Sequence, residues 1–265
     1  MMQNKVDKVI LIASIAGAIL ITMLLLPILN ILFSVGVDKI FEAAMDKNAI
    51  SAILTSFEAA LIATFLSFIF GVPLAYIMAR KNFYGKSIIE SIVDLPIVIP
   101  HTVAGVALLM VFGRNGIIGA PLDNIGVRIS DSILGIVAAM MFVSAPFLIN
   151  QAREGFESID PRMENVAMSL GATRTQVLMT ITLPLSIRNL LVGSIMTWAR
   201  AISEFGAVIV IAYFPMVAPT YIYSKYIEQG LVASAPIAAL LLIITVTIFV
   251  FMRIILSRWR AYDKD

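Results

Sequence analysis

Six mostly apolar stretches, each of about 20 residues or more, decide what this chain can fold into. They run at roughly 9–34, 53–79, 87–112, 132–152, 186–212 and 231–256. At about 1.5 Å per residue, a helix of that length crosses the hydrocarbon of a bilayer. A spanning segment must satisfy its own backbone, so the chain reads as an all-α bundle of membrane helices. Composition agrees: 60% of the 265 residues are hydrophobic and 14% are charged, against about 25% charged in soluble domains. No stretch between the spans is long enough for a soluble domain. The absence of cysteine excludes disulfides and thiolate metal sites. The single histidine, His101, cannot form a metal site alone, and it reads as a hydrogen-bonded packing residue. A net charge of +2 gives no reason to expect a nucleic-acid partner.

The basic residues set the orientation. Lys5 and Lys8 precede the first run, which is about twice the length of a signal-peptide core and has no A-x-A site, so it reads as a retained helix. Six spans put both termini on one side. That side carries 13 Lys and Arg residues, among them Arg80, Lys81, Lys86, Arg153, Arg162, Arg174, Arg188, Arg253, Arg258, Arg260 and Lys264. The other side carries 5, namely Lys39, Lys47, Arg114, Arg128 and Lys225, and Arg200 is left within the membrane. The positive-inside rule then places both termini and the 153–185 connection in the cytoplasm. Three regions result. Residues 1–52 hold the first span and an extracytoplasmic connection, with a helix expected at 37–50. Residues 53–256 hold five spans and a cytoplasmic loop at about 158–185. Residues 257–265 form a cytoplasmic tail, anchored by Arg258, Trp259 and Arg260.

The 160–185 segment is polar yet patterned. Asp160 suits a helix N-cap and Pro161 the first helical position. Met163, Val166, Ala167 and Leu170 recur at i, i+3, i+4 and i+7, one face of a short helix. Gly171 stands where a left-handed C-terminal residue belongs. Thr173 and Gln176 form a T-x-x-Q capping box that opens a second helix, and Pro184 follows. A short docking helix tethered at both ends would look like this, and so would an ordinary ordered loop.

Two spans are interrupted or charged. In the third, Pro96 and Pro100 each remove a backbone donor, Thr102 follows, and Gly105 closes the stretch. Broken backbone at membrane depth survives where it is packed in protein or lines a wet cavity, so this is either a static kink or part of a path or gate. In the fifth, Arg200 and Glu204 are i, i+4 near mid-span, with Gly206 beside them. A charge there costs roughly 2.5 kcal/mol or more. The two form either a structural ion pair or a group that meets an anion. Thr64, Ser67 and Gly71 share one face of the second span and suit close helix packing. The glycine-rich loop 113–131 and the aromatic loop 213–230 fall on the extracytoplasmic side.

These residues carry a resemblance. Glu164, Ala167, Gly171 and Leu183-Pro184 are similar to the EAA loop of ABC importer permeases, although Asn165 and Val166 depart from its usual acid and alanine. Gly71-Val72-Pro73 through Ala79-Arg80 resembles the stretch that opens the core of type I permeases. The segment from Asp94 to Gly105 and the phrase Trp198-Ala199-Arg200-Ala201-Ile202-Ser203-Glu204-Phe205-Gly206-Ala207 resemble molybdate, tungstate and sulfate permeases. The resemblance implies a type I ABC importer permease fold with six transmembrane helices and a cytoplasmic coupling helix, in the plasma or inner membrane. It implies an ATPase-coupling surface at Glu164, Ala167, Leu170, Gly171 and Pro184, and a translocation path or gate at Pro96, Pro100, Thr102, Gly105, Arg200, Glu204 and Gly206. The partners implied are a second copy of the chain, two ATP-binding subunits and an extracytoplasmic oxyanion-binding protein. This chain would bind no cofactor and catalyse no reaction, since it has no G-x-x-x-x-G-K-[ST] loop; ATP and Mg belong to the partner subunits. Molybdate or tungstate ranks first as substrate, and sulfate or thiosulfate second. The alternative is a secondary anion transporter, which would be expected to show inverted repeats between its halves; none is visible. A membrane-embedded enzyme is disfavoured by the lack of a catalytic cluster.

Overall fold

The computed structural model describes residues 8–259, and among them every regular element is a helix. The side chains of Lys5, Lys8, Arg258, Trp259, Arg260 and Lys264, and the end of the tail expected at 257–265, lie outside the described residues. Helix α1 (Lys8–Ser34) is apolar all round and lies outside the bundle, touching α13 (Leu231–Trp259). Among the described residues five helices are long and apolar enough to cross a membrane, and a sixth crossing results if one bent pair counts as a span.

The centre of the bundle is α7 (Ile133–Glu157), which packs along α3 (Lys47–Arg80) on one side and α10 (Leu183–Ile202) on the other. Small residues make this closeness available: Ala59, Ala60 and Ala63 of α3, Ala139 of α7 and Ala201 of α10 are all buried. Trp198 fills the remaining space with its ring edge-to-face on Phe57, centroids 5.5 Å apart. Ser67 of α3 donates to Ala63 O and is buried, and Gly71 abuts Ile149 of α7, so the small-residue face of this span is used for packing.

The third span is broken more sharply than its prolines alone foretell. Helix α4 (Lys86–Val98) and α5 (His101–Phe112) meet at 113°. Pro100 disfavours helical geometry at Ile99, and both residues are extended, with ψ of 132° and 131°. Helix α4 is then held against α7 by polar side chains at both levels of contact. Asn150 Nδ2 donates to Asp94 Oδ1 at 2.7 Å, and Arg153 Nη1 donates to Glu90 Oε1 at 3.1 Å.

The fifth span differs from expectation at both ends. It begins at Arg174 rather than near 186, because α9 (Arg174–Val177), a π turn (Leu178–Thr182) and α10 form one continuous helix. Pro184 does not end it. Leu183 N–H bonds back to Leu178 O, five residues away, and this wide turn absorbs the bond that the proline cannot make. At the far end the helix stops at Ile202, and a separate short helix, α11 (Gly206–Ile211), follows.

The end of the bundle where α3 begins is clipped by one carboxylate. The helix expected at 37–50 is split at Asp46 into α2 (Val37–Met45) and the start of α3. Asp46 Oδ1 caps α3 by accepting Asn48 N–H at 2.9 Å, and Oδ2 accepts the hydroxyl of Tyr221 at 2.8 Å. Tyr221 belongs to α12 (Ala218–Gln229), which forms in the stretch read as the aromatic loop, just as α6 (Gly119–Asn124) forms within the glycine-rich one. Burial alone would raise the Asp46 carboxyl, but the Tyr221 hydroxyl, the Asn48 and Ala49 N–H groups and Lys225 together hold it below its ordinary value. Burial and the adjoining carboxylate push the Tyr221 hydroxyl up to about 12, so it remains the donor. Asp46→Ala should lower stability by about 1–2 kcal/mol in thermal unfolding of the detergent-solubilised protein. A depressed carboxylate contributes stability that is fully present above about pH 4 and is lost as pH falls below it. The gap between wild type and Asp46→Ala should therefore narrow by about pH 3, and an undiminished gap would contradict the clip.

Candidate functional site

Two sites stand at opposite ends of the continuous helix that runs from Arg174 to Ile202. The first is the double break. Glu204, with 1% of its side chain exposed, joins the two broken spans. Its Oε1 accepts the N–H of Ala207 at 2.8 Å and so caps α11. Its Oε2 accepts Arg200 Nη2 at 2.8 Å and lies 3.2 Å from His101 Nδ1, at the start of α5. Arg200 Nη2 also lies 3.0 Å from His101 Nε2, and Nη1 reaches Ser203 Oγ at 3.2 Å. Arg200 Nη2 also lies 3.1 Å from His101 Nδ1, so the imidazole edge sits between the guanidinium and the carboxylate. The Arg200 and Glu204 charges cancel, and the half-helix α5 is tied to both.

Backbone packing reinforces the tie. A Cβ on Gly105 would come within 2.7 Å of Ala207 O, and one on Gly206 within 2.7 Å of His101 Cβ. Glycine at both positions lets α5 and α11 touch. Behind them Ala104, Leu108, Ala207, Val208 and Ile211 join the buried core on α7. Of the residues assigned to a path or gate, Thr102, Gly105, Arg200, Glu204 and Gly206 meet here, with Pro100 at the bend. Pro96 is buried one turn earlier, on α4. His101 and Arg200 keep 42% and 22% of their side chains exposed, so one side of the cluster is open.

The second site is the 160–185 segment, and its local structure follows the sequence closely. Asp160 Oδ1 accepts Arg162 N–H at 2.9 Å and opens α8 (Pro161–Ser169). Gly171 has φ +95°, with nothing near its absent Cβ, so conformation and not space calls for glycine. Ala172 N–H bonds Ala167 O and Gly171 N–H bonds Met168 O, a Schellman closure. The Thr173–Gln176 capping box then starts α9. Met163, Val166 and Leu170 are exposed, Leu170 to 85%, and Ala167 is half-buried beside them. Pro184 is exposed in the first turn of α10.

Glu164 faces the other way. Its side chain is 9% exposed, and Oε1 accepts Arg80 Nε at 2.9 Å, Arg80 Nη2 at 2.8 Å and Thr182 Oγ1 at 2.8 Å. The sequence reading missed Arg80 as its partner. Glu58 was also missed: it lies on an exposed stripe of α3 among Leu54, Leu61 and Phe65. A rare carboxylate in a span is the signal that would have found it. Among the described residues no group of three or more His, Asp or Glu side chains could hold a metal ion.

Comparison with known proteins identifies the architecture. Residues 71–261 match the family model described as a binding-protein-dependent transport system inner membrane component. The molybdate/tungstate transport system permease protein WtpB of Thermococcus kodakarensis is 41% identical over 247 residues, 92% of this chain and 95% of that protein. A probable sulfate transport system permease protein, cysT of Helicosporidium sp., is 34% identical over 222 residues, 82% of each. A bacterial ABC transporter that imports the acidic polysaccharide alginate has the same fold, with a TM-score of 0.72 at 20% identity, over 94% of this chain and 95% of that one. The chain therefore belongs to the family of binding-protein-dependent transport system inner membrane components, the multi-pass permeases of type I ABC importers.

Proposed function

We propose that this chain is the permease subunit of an ATP-driven importer of molybdate or tungstate. Two copies form the translocation path, two ATP-binding subunits hydrolyse ATP with Mg, and an extracytoplasmic binding protein delivers the oxyanion. Both termini and α8 face the cytoplasm. The observation that carries this reading is the single helix Arg174–Ile202, which has an exposed apolar docking segment hinged at Gly171 at one end and the charged double break at the other. Ala167, Leu170 and Gly171, with Met163 and Val166, form the surface that meets the ATP-binding subunit, and Pro184 stands beside it. Glu58 supports assembly: a carboxylate on an exposed stripe of a span belongs against a partner copy or a wet path, not lipid.

In the transport cycle, ATP binding draws the docking segments of the two copies together, and the helix carries that displacement to Arg200 and Glu204. Because His101 and the Gly105–Gly206 contacts bind α5 to α11, the two half-helices move as one gate. The Arg200–Glu204 pair holds this gate and does not select the anion. The relative named as a sulfate permease makes sulfate or thiosulfate the second substrate reading.

The direct test is uptake of labelled molybdate into proteoliposomes that hold this chain, its ATP-binding subunit and its binding protein. Strict ATP dependence with competition by tungstate and not by sulfate is expected. Sulfate competition would move the substrate, and uptake without ATP would replace the class with a secondary transporter. Arg200→Ala should lower the yield and thermal stability of the assembled complex, by about 2–4 kcal/mol for a half-buried pair left with one partner. Its ratio of molybdate to sulfate uptake should stay unchanged, and a changed ratio in a stable complex would make Arg200 a substrate contact.

A further inference from the structure

The carboxylate of Glu164 sits where three parts of the chain converge. Arg80 is the last residue of α3, and two of its nitrogens point at Glu164 Oε1 while Nη2 also reaches Ile159 O at 3.4 Å. Thr182, fully buried, closes the π turn that leads into α10 and donates to the same Oε1. One turn before Arg80, the ring of Tyr76 stands edge-on to Phe156 of α7 with centroids 5.6 Å apart. Arg80 and Glu164 are each 9% exposed. The opposite face of α8, with Met163, Val166 and Leu170, is the one that looks outward. One face of this nine-residue helix is therefore turned into the chain and the other is left exposed.

We propose that Glu164 is a positioning residue that acts inside this chain, through Arg80 and Thr182, and does not touch the ATP-binding subunit. Its carboxylate locks α8 to the end of α3 and to the start of the continuous helix at once. A displacement pressed on the outer face of α8 is then delivered to two spans together, where a freely swivelling segment would dissipate it at Gly171. A buried carboxylate holding three donors is suited to this, because every rotation of α8 breaks a charge-assisted bond. The inference rests on the importer reading proposed above.

The test uses the full complex with its ATP-binding subunits and binding protein in proteoliposomes, and reads anions imported per ATP hydrolysed. Glu164→Gln and Arg80→Gln complexes should still capture the ATP-binding subunit as wild type does and still hydrolyse ATP. Their imported anions per ATP should fall about fivefold or more. Leu170→Asp, on the outer face, should instead weaken capture of the ATP-binding subunit. If either single variant fails to fold, the apolar pair Arg80→Met with Glu164→Met keeps the volume without an unpaired charge, and the same loss of imported anions per ATP is expected. An exchange of the two charges, Arg80→Glu with Glu164→Arg, should recover part of the ratio. Loss of ATP-binding subunit from Glu164→Gln but not from Arg80→Gln would place Glu164 in the partner interface and overturn the proposal. An unchanged ratio in all variants would do the same. No ATP-dependent uptake by the wild-type complex would remove the importer reading itself, and this role with it.

Discussion

A charge inside an apolar bundle must find a partner, and in this protein the partners are chosen so that each pair bridges a weak point of the fold. Helix α4, detached from α5 by a 113° bend, is held to α7 through Asp94–Asn150 and Glu90–Arg153. The two broken spans are joined where Glu204 meets Arg200, His101 and the first turn of α11. The short helix α8 is tied by Glu164 to Arg80 and Thr182. Hydrophobic burial cannot place these joints, because lipid is as apolar as the helix surfaces. Directional polar bonds can, and their loss is expensive because no water replaces them.

In the proposed transport cycle this arrangement makes the bundle a lever. The helix that starts at the Thr173 cap passes through the π turn and Pro184 without interruption, reaches Arg200, and ends at the double break. Along the way it lies on α7, whose other side carries α3. In that cycle, movement at its Arg174 end has few outlets: the helix is packed along α7, and the polar joint at the far end links it to α5 and α11. Glycine at 105 and 206 matters here because it lets two short half-helices approach closely, Gly105 against Ala207 and Gly206 against His101.

What could be read from sequence was the local chemistry. The cap at Asp160, the glycine closure at Gly171 and the Thr173–Gln176 box are decided by residues within a few positions of each other, and all three stand in the structure as read. The membrane spans were legible for the same reason, since apolar length is a local property. Pairings across the chain were not. Arg80 and Glu164 are separated by 84 residues, and His101 and Arg200 by 99, so nothing in their spacing announces a contact. The fifth span was read as starting near 186 because the π turn at Leu178–Thr182 cannot be seen in a run of apolar and hydroxyl residues. The break at Ser203–Phe205 was hidden by the apolar residues that continue on both sides of it. Pro100 announced a break in the third span, but not that the break would turn the chain by more than a right angle.

The measurement that bears most directly on the lever is the distance between α5 and the end of α11 in different nucleotide states. The chain has no cysteine, so Met110→Cys and Tyr213→Cys can be spin-labelled specifically, both positions being exposed. In the assembled transporter the Met110–Tyr213 distance within one copy should be the same without nucleotide and with ATP bound. The distance between the Met110 labels of the two copies should change between those states. A within-copy distance that shifts as much as the distance between copies would show that α5 and α11 move separately, and the joint at Glu204 would then have no part in the gate.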